Sequence, residues 1–466
     1  MPSNRGQQGP AELFGFALPK GGWLWILVFL AMAALGGTNP DFPGARYFAQ
    51  FLGCIVIGVI IASRSSQGFR PRGIDVLVLA GVALIALQMV PLPPFLWKLL
   101  PAHDGVARLD MALYGRELWR PLTLDYEKTL RVLTFCIPAL AIYFAVRTAS
   151  PERMAALRWG ILAALLLALV WAAAQLMLGN TFLSFGTPRG SAPVAFFTNR
   201  NHLAIFVVAS YLLWLAGTKS ASDGRFEVDL ERHILPALLL VVVGLIVLAT
   251  ASRTGFALLL LAIVAGLWVL FASMVGKVSK WVVGGAATAV VALVGALIAL
   301  PYLGVGGVLG GLAGRTEISD DRRFEVWSQS MRMIGESFPA GTGFGTYRQF
   351  YEQNEPLDLL ARLFVNHAHN DYLEWIIEGG LPLVLLLGVF LLWVALRVVP
   401  RILRPRRSAR AGLVALGLLV ILLHSLVDYP LRTIAVSMLA AYALGWLANH
   451  SHQAQERPTR LAKRVH

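Results

Sequence analysis

The chain has 466 residues, of which 57% are apolar and 14% are charged, and its mean hydropathy is +0.66. Soluble domains are typically about 45–50% apolar and about 25% charged, so this composition excludes a soluble enzyme, a disordered chain and a small disulfide scaffold. The formal net charge of +14 is typical of cytoplasmic loops that contact anionic lipid head groups, so it does not call for a nucleic-acid partner. Cys54 and Cys136 lie in apolar runs, which argues against a cysteine metal site or a disulfide framework.

Each membrane-crossing helix needs about 20 apolar residues, and about twelve stretches of the chain meet this requirement. In chain order they are residues 21–38, 46–63, 74–90, 129–147, 155–178, 201–217, 233–250, 254–273, 281–300, 373–397, 411–427 and 431–449. The predicted fold is therefore all-α and polytopic, with transmembrane helices 1–9 in residues 1–300 and helices 10–12 with a basic tail in residues 373–466. The weakly basic leader favours a retained first helix over a cleaved signal peptide.

Basic residues in the short loops alternate along the chain, and this alternation predicts the orientation. One set of loops carries many arginines and lysines, whereas the short loops of the other set hold only Arg46, Arg189, Arg200, Arg253 and Arg432. The basic set is expected to face the cytoplasm together with both termini.

Two segments on the outer side are too long to be simple turns. Residues 91–128 mix apolar and charged residues, which predicts an amphipathic segment in the membrane interface. Residues 301–372 are predicted to be a large folded loop domain, because long loops without structure are uncommon. The glycine run of this loop, Gly341 to Gly345, lacks the strand-to-helix setting of a nucleotide fingerprint and is interpreted as turn-forming. Most of its aromatic residues are expected to form a small core of the loop.

Ionisable residues at the outer helix ends are costly, so each is a candidate for a function. Arg253 opens the eighth predicted span, and Arg200 and His202 open the sixth. A single arginine at such a position usually extends toward lipid head groups, and the neighbouring Asn and Thr side chains are explained as helix caps. Capping calls for neither Arg200 nor His202, so both are candidate site residues.

The densest polar cluster lies where the outer loop enters the tenth span. Asn370 and Asp371 suit a helix cap and its first turn, but capping does not explain His367 and His369. The alternation of His367, His369 and Asp371 also allows a metal site, yet no fourth ligand is in view and such sites use three or four ligands. A histidine that accepts a proton near pH 7 is the preferred interpretation.

Farther along the chain, His424, Asp428 and Arg432 recur at intervals of four and share one face if the segment is helical. Pro430 is expected to break this helix before Arg432. A structural Asp–Arg or Asp–His pair and a direct role in a site are both open at this point.

Arginines and histidines are therefore expected to converge from different helices on the outer face. Arginine forks bind phosphate oxygens bidentately, so they suit a diphosphate group at the membrane surface. A histidine beside them can take a proton from an attacking hydroxyl. Few acidic residues are expected there, so the arginines would stabilise the leaving diphosphate without a metal or cofactor.

Several of these segments resemble the O-antigen ligase/polymerase superfamily, which includes WaaL-type ligases and Wzy-type polymerases. The resemblance spans roughly residues 195–432 and is strongest at His369-Asn370 followed by Gly379-Gly380. The segments that carry it are Asn199–His202, Ser252–Gly255, Arg323–Trp327, Pro339–Gly345, His367–Glu374 and His424–Pro430.

The resemblance implies a GT-C-like, metal-independent membrane glycosyltransferase in the bacterial inner membrane, with its active site facing the periplasm. It implies an undecaprenyl-diphosphate-linked oligosaccharide donor and a glycan or lipid A-core acceptor, with a flippase and a chain-length regulator as further partners. It assigns His369 to acceptor activation and Arg253 and Arg323 to the diphosphate, which Arg200 is also expected to contact. The residues expected to support the site or bind the acceptor are His202, His367, Asn370, Asp371, His424, Asp428 and Arg432. Direct attack on an α-linked donor would invert the anomeric centre.

The resemblance leaves the type of transfer open. The Asn199–His202 segment resembles members from exopolysaccharide clusters, which favours a Wzy-type polymerase over a WaaL-type ligase. A twelve-helix transporter is the alternative of another class, and it predicts ionisable residues and broken helices near span centres. A third hypothesis is a membrane scaffold whose outer loop holds partner proteins of a polysaccharide assembly complex.

Overall fold

The computed structural model of the chain describes residues 12–13, 16–17, 22–37, 43–63, 71–185, 192–218, 234–275, 319–356, 364–404 and 409–450. Within these ranges the protein is predominantly α-helical, which confirms the all-α prediction. The described strands form two short antiparallel pairs, β1 (Glu12–Leu13) with β2 (Phe16–Ala17) and β3 (Pro91–Leu92) with β4 (Arg120–Pro121).

The described α-helices are numbered here in chain order. They are α1 (Trp23–Gly36), α2 (Pro43–Ala62), α3 (Gly73–Leu87), α4 (Pro94–Trp97), α5 (Asp104–Tyr114), α6 (Tyr126–Arg147), α7 (Pro151–Leu178), α8 (Arg200–Leu215), α9 (Leu235–Ala249), α10 (Arg253–Val275), α11 (Ser319–Ser337), α12 (Tyr347–Asn354), α13 (Asp371–Trp393), α14 (Val399–Leu403), α15 (Ala409–His424) and α16 (Ile434–His450). A π-helical turn, Val394–Val398, joins α13 to α14, and 3₁₀ turns cover Pro101–His103 and Pro430–Arg432.

Five described helical stretches are long and apolar enough to cross a membrane: Pro43–Ala62, Tyr126–Arg147, Pro151–Leu178, Arg253–Ala272 and Asp371–Leu403. The shorter apolar helices α1, α3, α8, α9, α15 and α16 coincide with further predicted spans. The chain is thus a multi-pass membrane protein. The predicted ninth span, residues 281–300, lies outside the described residues, as do residues 301–318 and the tail after residue 450. The number of twelve spans therefore stays a prediction.

Helix α8 lies at the centre of the bundle, since every residue from His202 to Trp214 is buried. Helices α15 and α16 are almost as buried, and they pack against α8 and against each other. Helices α2, α3 and α13 instead expose large apolar side chains such as Phe51, Val76 and Leu385. Exposed apolar faces of this kind suit contact with lipid tails. A helix can lie in lipid because its backbone hydrogen bonds are made within the helix.

Residues 91–128 match the predicted amphipathic segment in part. Helix α5 leaves Leu109 and Leu113 exposed, as an interfacial helix does. The β3–β4 pair, however, folds the segment back on itself around a fully buried Trp97, whose Nε1 donates to Leu118 O at 3.1 Å. The segment therefore has a small interior of its own.

The two long segments of the predicted outer side contact each other at one end of the bundle. Leu124 N donates to Thr342 O at 2.9 Å, and Gln349 Nε2 donates to Asp125 Oδ2 at 2.8 Å. The expected small core of the loop is present, but it holds only part of the loop's aromatic residues, since Phe324 is 56% exposed. It includes Tyr347 and Tyr351 among the buried residues of one apolar cluster, with Val326, Met333, Phe350, Ala368 and Ile377.

Candidate functional site

The buried carboxylate of Asp428 is surrounded by three imidazole rings from three different elements. Asp428 Oδ1 lies 3.4 Å from His369 Nδ1 and 3.8 Å from His202 Nε2. Asp428 Oδ2 lies 4.0 Å from His424 Nε2 and accepts a 2.7 Å hydrogen bond from Asn201 Nδ2. The structure thus brings together four of the residues that the sequence predicts for the site, His202, His369, His424 and Asp428.

Local sequence explains how the members of this cluster are held. Helix α15 ends at His424, six residues before Pro430, so Asp428 lies in the following turn rather than on a helix face. His202 occupies the first turn of α8, where the Asn199 side chain caps the helix by accepting from Asn201 N at 2.8 Å. The expected helical face of His424, Asp428 and Arg432 is not formed, because the helix has already ended.

His369 adopts a left-handed backbone conformation, with φ of 51°. A non-glycine residue in this region costs on the order of 1–3 kcal/mol and persists where the surroundings hold it, commonly at functional sites. Both neighbours of His369 are fixed: Trp327 Nε1 donates to Ala368 O at 2.8 Å, and Asn370 caps α13 by accepting from Tyr372 N at 3.0 Å. The backbone conformation of His369 therefore determines the direction of its imidazole ring.

His369 is also the accessible member of the cluster. About 35% of its side chain is exposed, whereas His202, His424 and Asp428 are at most 3% exposed. The ring of Tyr429 contacts both histidines of the loop, since its centroid lies 5.1 Å from that of His369 and 4.1 Å from that of His367. A ligand that reaches this cluster would meet the His369 ring first.

Burial alone would raise the pKa of Asp428, but its interactions with His202 and His369 outweigh burial and hold the pKa well below its ordinary value. Asp428 is therefore an anion at neutral pH, and it can stabilise positive charge on a neighbouring imidazole. It also favours the His369 tautomer that carries its proton on Nδ1, which leaves the Nε2 lone pair free to accept a proton.

A second cluster surrounds Arg432 with three carboxylates. Arg432 Nη2 lies 2.8 Å from Glu378 Oε2 and 3.1 Å from Glu374 Oε1, and Arg432 Nε lies 3.8 Å from Asp371 Oδ1. The three acids recur at i, i+3 and i+7, so they share one face of α13. His367 joins them through Nδ1, which is 2.9 Å from Glu374 Oε1. Burial alone would lower the pKa of Arg432, but the carboxylates outweigh it and raise that pKa.

The two clusters are joined through the backbone. Asp371 N donates to Ser425 O at 2.9 Å and to Asp428 O at 3.3 Å, and Leu431 N donates to Asp371 Oδ2 at 3.3 Å. The start of α13 is thereby fixed to the turn that carries Asp428. A shift of either element would change the position of His369.

The expectation that few acidic residues converge here is wrong. Asp371, Glu374, Glu378 and Asp428 are all buried at this end of the bundle. The sequence does not reveal the arrangement, because Arg432, which offsets three of the charges, is far from them along the chain. Among the described residues, no three His, Cys, Asp or Glu side chains are arranged to hold a metal ion.

The arginines proposed for the diphosphate lie on three elements around the histidine cluster. Arg323 of α11 donates through Nη1 to Val427 O at 3.3 Å, so its guanidinium contacts the turn that carries Asp428. Arg200 and Arg253 are the first residues of α8 and α10. The first turns of these two helices are in close contact, since a Cβ on Gly255 would lie 2.5 Å from Ala204 Cβ.

The backbone amides of the glycine run hold the loop against α13. Gly343 N donates to Glu378 O at 3.0 Å, and Gly345 N donates to Glu378 Oε1 at 2.9 Å. Gly341 and Gly343 have φ of 81° and 99°, so their interpretation as turn formers is confirmed. Gly380 interrupts α13 with φ of 58°, where a Cβ would lie 2.3 Å from Pro339 O.

Sequence reasoning missed four residues of the site, Glu374, Glu378, Tyr429 and Asn201. Glu378 lies inside a predicted span, although its position one helical turn beyond Glu374 and directly before Gly379-Gly380 is a usable signal. Tyr429 and Asn201 lie inside the candidate segments, but packing and capping account for a tyrosine and an asparagine at such positions. Arg432, which was expected to support the site, contacts the buried carboxylates of Asp371, Glu374 and Glu378.

Comparison with known proteins gives one family. Residues 237–388, about a third of the chain, match the model of the Wzy_C family, described as O-antigen ligase. None of the curated proteins that were searched matches this chain. The matched range includes Arg253, Arg323 and the segment from His367 to Glu378. Of the histidine cluster it includes His369, whereas His202, His424 and Asp428 lie outside it.

Proposed function

Because residues 237–388 place this chain in the O-antigen ligase/polymerase superfamily, we propose that it is a glycosyltransferase that polymerises exopolysaccharide or O-antigen repeat units. The donor is an undecaprenyl-diphosphate-linked oligosaccharide, and the acceptor is the terminal sugar of a second lipid-linked glycan. The reaction takes place at the periplasmic face of the bacterial inner membrane.

The observation that carries the proposal is the juxtaposition of His369 and Asp428. A partly exposed imidazole backed by a buried carboxylate is a competent general base, because the carboxylate orients the ring and stabilises its protonated form. The strained backbone of His369 and the fixed neighbours on both sides support a preorganised role. His202 and His424 fill the remaining sides of Asp428 and leave His369 as the ring that faces a substrate.

The arginines support binding of an anionic leaving group. Helices α8 and α10 each begin with an arginine and have no acidic residue in the first turn. The N-terminus of a helix attracts an anion by about 0.3–1 kcal/mol, and a guanidinium at the same place adds a full positive charge. A diphosphate is therefore attracted by the helix ends and by the guanidinium groups, from which it accepts bidentate hydrogen bonds.

The proposed step is a direct displacement. The acceptor hydroxyl oxygen forms a bond to the anomeric carbon while the bond from that carbon to the diphosphate oxygen breaks, and the electron pair leaves with the diphosphate. His369 Nε2 takes the hydroxyl proton, and Arg200, Arg253 and Arg323 offset the charge that grows on the leaving group. A single displacement inverts the anomeric configuration. We propose that the step needs no metal, because arginines supply the positive charge.

A ligase that transfers the glycan to lipid A-core is the second candidate, since the matched family is described as O-antigen ligase. It uses the same donor and the same base, and only the acceptor differs. A transporter is less well supported, because that hypothesis predicts broken helices near span centres and the break of α13 at Gly380 is not central. The break lies near the outer end of a helical stretch that runs from Asp371 to Leu403, and it contacts the loop at Pro339.

The test is transfer by the purified full-length protein in detergent or nanodiscs. Synthetic undecaprenyl-diphosphate oligosaccharide is supplied alone or with lipid A-core, in buffer with excess EDTA and in buffer with Mg²⁺. Products longer than one repeat with the donor alone support the polymerase, and product only with lipid A-core supports the ligase. Full activity of both His369→Asn and Arg253→Gln would overturn the site, and loss of transfer in EDTA would overturn the metal-free step.

A further inference from the structure

A cavity of about 330 Å³ lies at the other end of the bundle from His369. It is lined by the start of α7, the end of α8, the start of α15 and the end of α16. His202 lies in the first turn of α8 and Gly217 lies just beyond its last residue, so the cavity and the histidine cluster are separated by about the length of α8, roughly 24 Å. The basic loops predict that this end faces the cytoplasm.

The cavity is cationic. Arg158 and Arg410 both line it, so two positively charged side chains border the same space. The side chain of Arg158 crosses the end of α8 at Gly217, where a Cβ would lie 2.5 Å from Arg158 Cδ. The described residues that line the cavity include no carboxylate. Two guanidinium groups beside one another favour an anion between them, because each can donate a forked pair of hydrogen bonds.

Three further side chains add polar and aromatic surface to the cavity. The His450 ring stacks on the Trp446 ring, with centroids 3.7 Å apart and planes at 9°. His450 Nδ1 lies 2.9 Å from Trp446 O, so that nitrogen carries the proton and donates to the carbonyl. The Tyr442 hydroxyl donates to the Met154 thioether, a weak acceptor 3.6 Å away. This hydroxyl can donate to a better acceptor inside the cavity.

We propose that this cavity binds the phosphate group of an anionic phospholipid from the adjacent leaflet. The phosphate would lie between Arg158 and Arg410, with the Tyr442 hydroxyl as a further donor. A lipid suits the site better than a soluble phosphate compound, because the cavity lies among helix ends where lipid head groups lie. Its lining also includes apolar side chains such as Leu213 and Val414 that can contact glycerol and acyl carbons. The proposal is independent of the reaction at His369.

The experiment measures lipid retention by native mass spectrometry of the full-length protein in detergent. The protein is titrated with dioleoyl phosphatidylglycerol, with dioleoyl phosphatidylcholine, or with phosphatidylglycerol in the presence of millimolar inorganic phosphate. The expected result is one tightly retained phosphatidylglycerol, weaker retention of phosphatidylcholine, and no displacement by phosphate. Displacement by inorganic phosphate, or equal retention of the two lipids, would overturn the assignment of an anionic lipid.

Two variants locate the binding. Arg410→Gln is expected to weaken phosphatidylglycerol retention about tenfold, since one forked, charge-assisted interaction is lost. Arg410 is exposed, so the variant should fold. The matched control is Arg397→Gln, an exposed arginine of the same end that does not line the cavity, and it should retain the lipid like the unchanged protein. Equal retention by Arg410→Gln and Arg397→Gln would contradict the proposal.

Discussion

Two buried aspartates, Asp75 and Asp428, differ in how completely their carboxylates are satisfied. Asp75 accepts hydrogen bonds from Arg147 Nε and Nη2, both at 2.7 Å, from the Tyr143 hydroxyl at 2.5 Å and from Arg72 N at 2.7 Å. Its charge is offset by a guanidinium that cannot lose its proton. This cluster connects α3 and α6, and the side chains of Asp75 and Arg147 in it are at most 4% exposed.

Asp428 has two hydrogen bonds within 3 Å, from Asn201 Nδ2 and Tyr429 N, and its other neighbours are imidazoles at 3.4–4.0 Å. An imidazole exists in neutral and protonated forms, whereas a guanidinium stays charged, so the charge around Asp428 is not fixed as it is around Asp75. A carboxylate whose hydrogen bonds are all satisfied by fixed donors stabilises the fold, whereas a carboxylate beside imidazole rings, one of them partly exposed, suits proton transfer.

The largest effect is expected for His369→Asn. Asparagine tolerates the left-handed backbone of this position, so the variant keeps the conformation and loses the imidazole. Loss of a general base typically lowers the rate by about 10²–10⁴-fold. The measurement is kcat for glycan transfer, together with the unfolding midpoint in the same detergent. A drop in kcat that merely tracks a loss of folded protein would remove His369 from the chemistry.

Asp75→Asn is expected to affect stability instead. Arg147, which is 4% exposed, would be left without its anionic partner, and breaking a buried ion pair in this way costs about 3–5 kcal/mol. Thermal unfolding in detergent measures the loss, and kcat per folded molecule should be unchanged.

Asp428→Asn is the matched variant. It is expected to lose less stability than Asp75→Asn and to lose more of its kcat. If the two asparagine variants behave alike, the proposed difference between the two aspartates is wrong. A double variant, Asp75→Asn with Arg147→Met, should recover part of the lost stability, because it removes the uncompensated charge.

A smaller effect is expected for Arg253. Arg253→Gln removes a forked donor to the diphosphate and should lower kcat/KM about 10–100-fold. Arg253→Lys keeps the positive charge but loses the fork, so its kcat/KM should lie between those of the unchanged protein and Arg253→Gln. The matched control is Arg46→Gln, since Arg46 lies over the Phe135 ring, 5.7 Å from its centroid, rather than at the start of α10. Equal losses in Arg46→Gln would indicate a general effect of surface charge.

The sequence predicts the parts of this molecule that depend on local composition. Apolar runs predict the apolar helices that the structure describes, though not the polar helices α11 and α12. Polar residues at the ends of the predicted spans lead to His369, His202 and Asp428. The cluster around Arg432 cannot be predicted in this way. The hydrogen bond from Arg432 to Glu378 joins α13 to a turn some 50 residues later in the chain. A sequence does not show which of its distant residues are in contact. Glu378 escapes notice because a span is expected to be apolar.

The left-handed conformation of His369 is equally hidden in the sequence. Histidine is not the residue that a pattern assigns to such a position, and the contacts of Ala368 and Asn370 impose it. By contrast, the turns at Gly341 and Gly343 are predictable, because glycine is the ordinary residue for positive φ. A positive φ therefore cannot be predicted from the sequence when the residue, like His369, is of a type that usually adopts negative φ.

The smallest expected effect concerns His367 and pH. Burial lowers the pKa of His367, and the opposing attraction of Glu374 does not restore it. As pH falls, the unfolded chain binds the His367 proton at about pH 6.5, whereas the folded chain binds it only at a lower pH. The free energy of unfolding therefore decreases as pH falls through about 6.5 and becomes constant below the pKa of the folded state. His367→Gln should lose less stability than the unchanged protein between pH 7.5 and 5, by at most about 1.4 kcal/mol per pH unit. The other histidines contribute equally to both proteins, so identical slopes would mean that folded His367 takes its proton as readily as the unfolded chain.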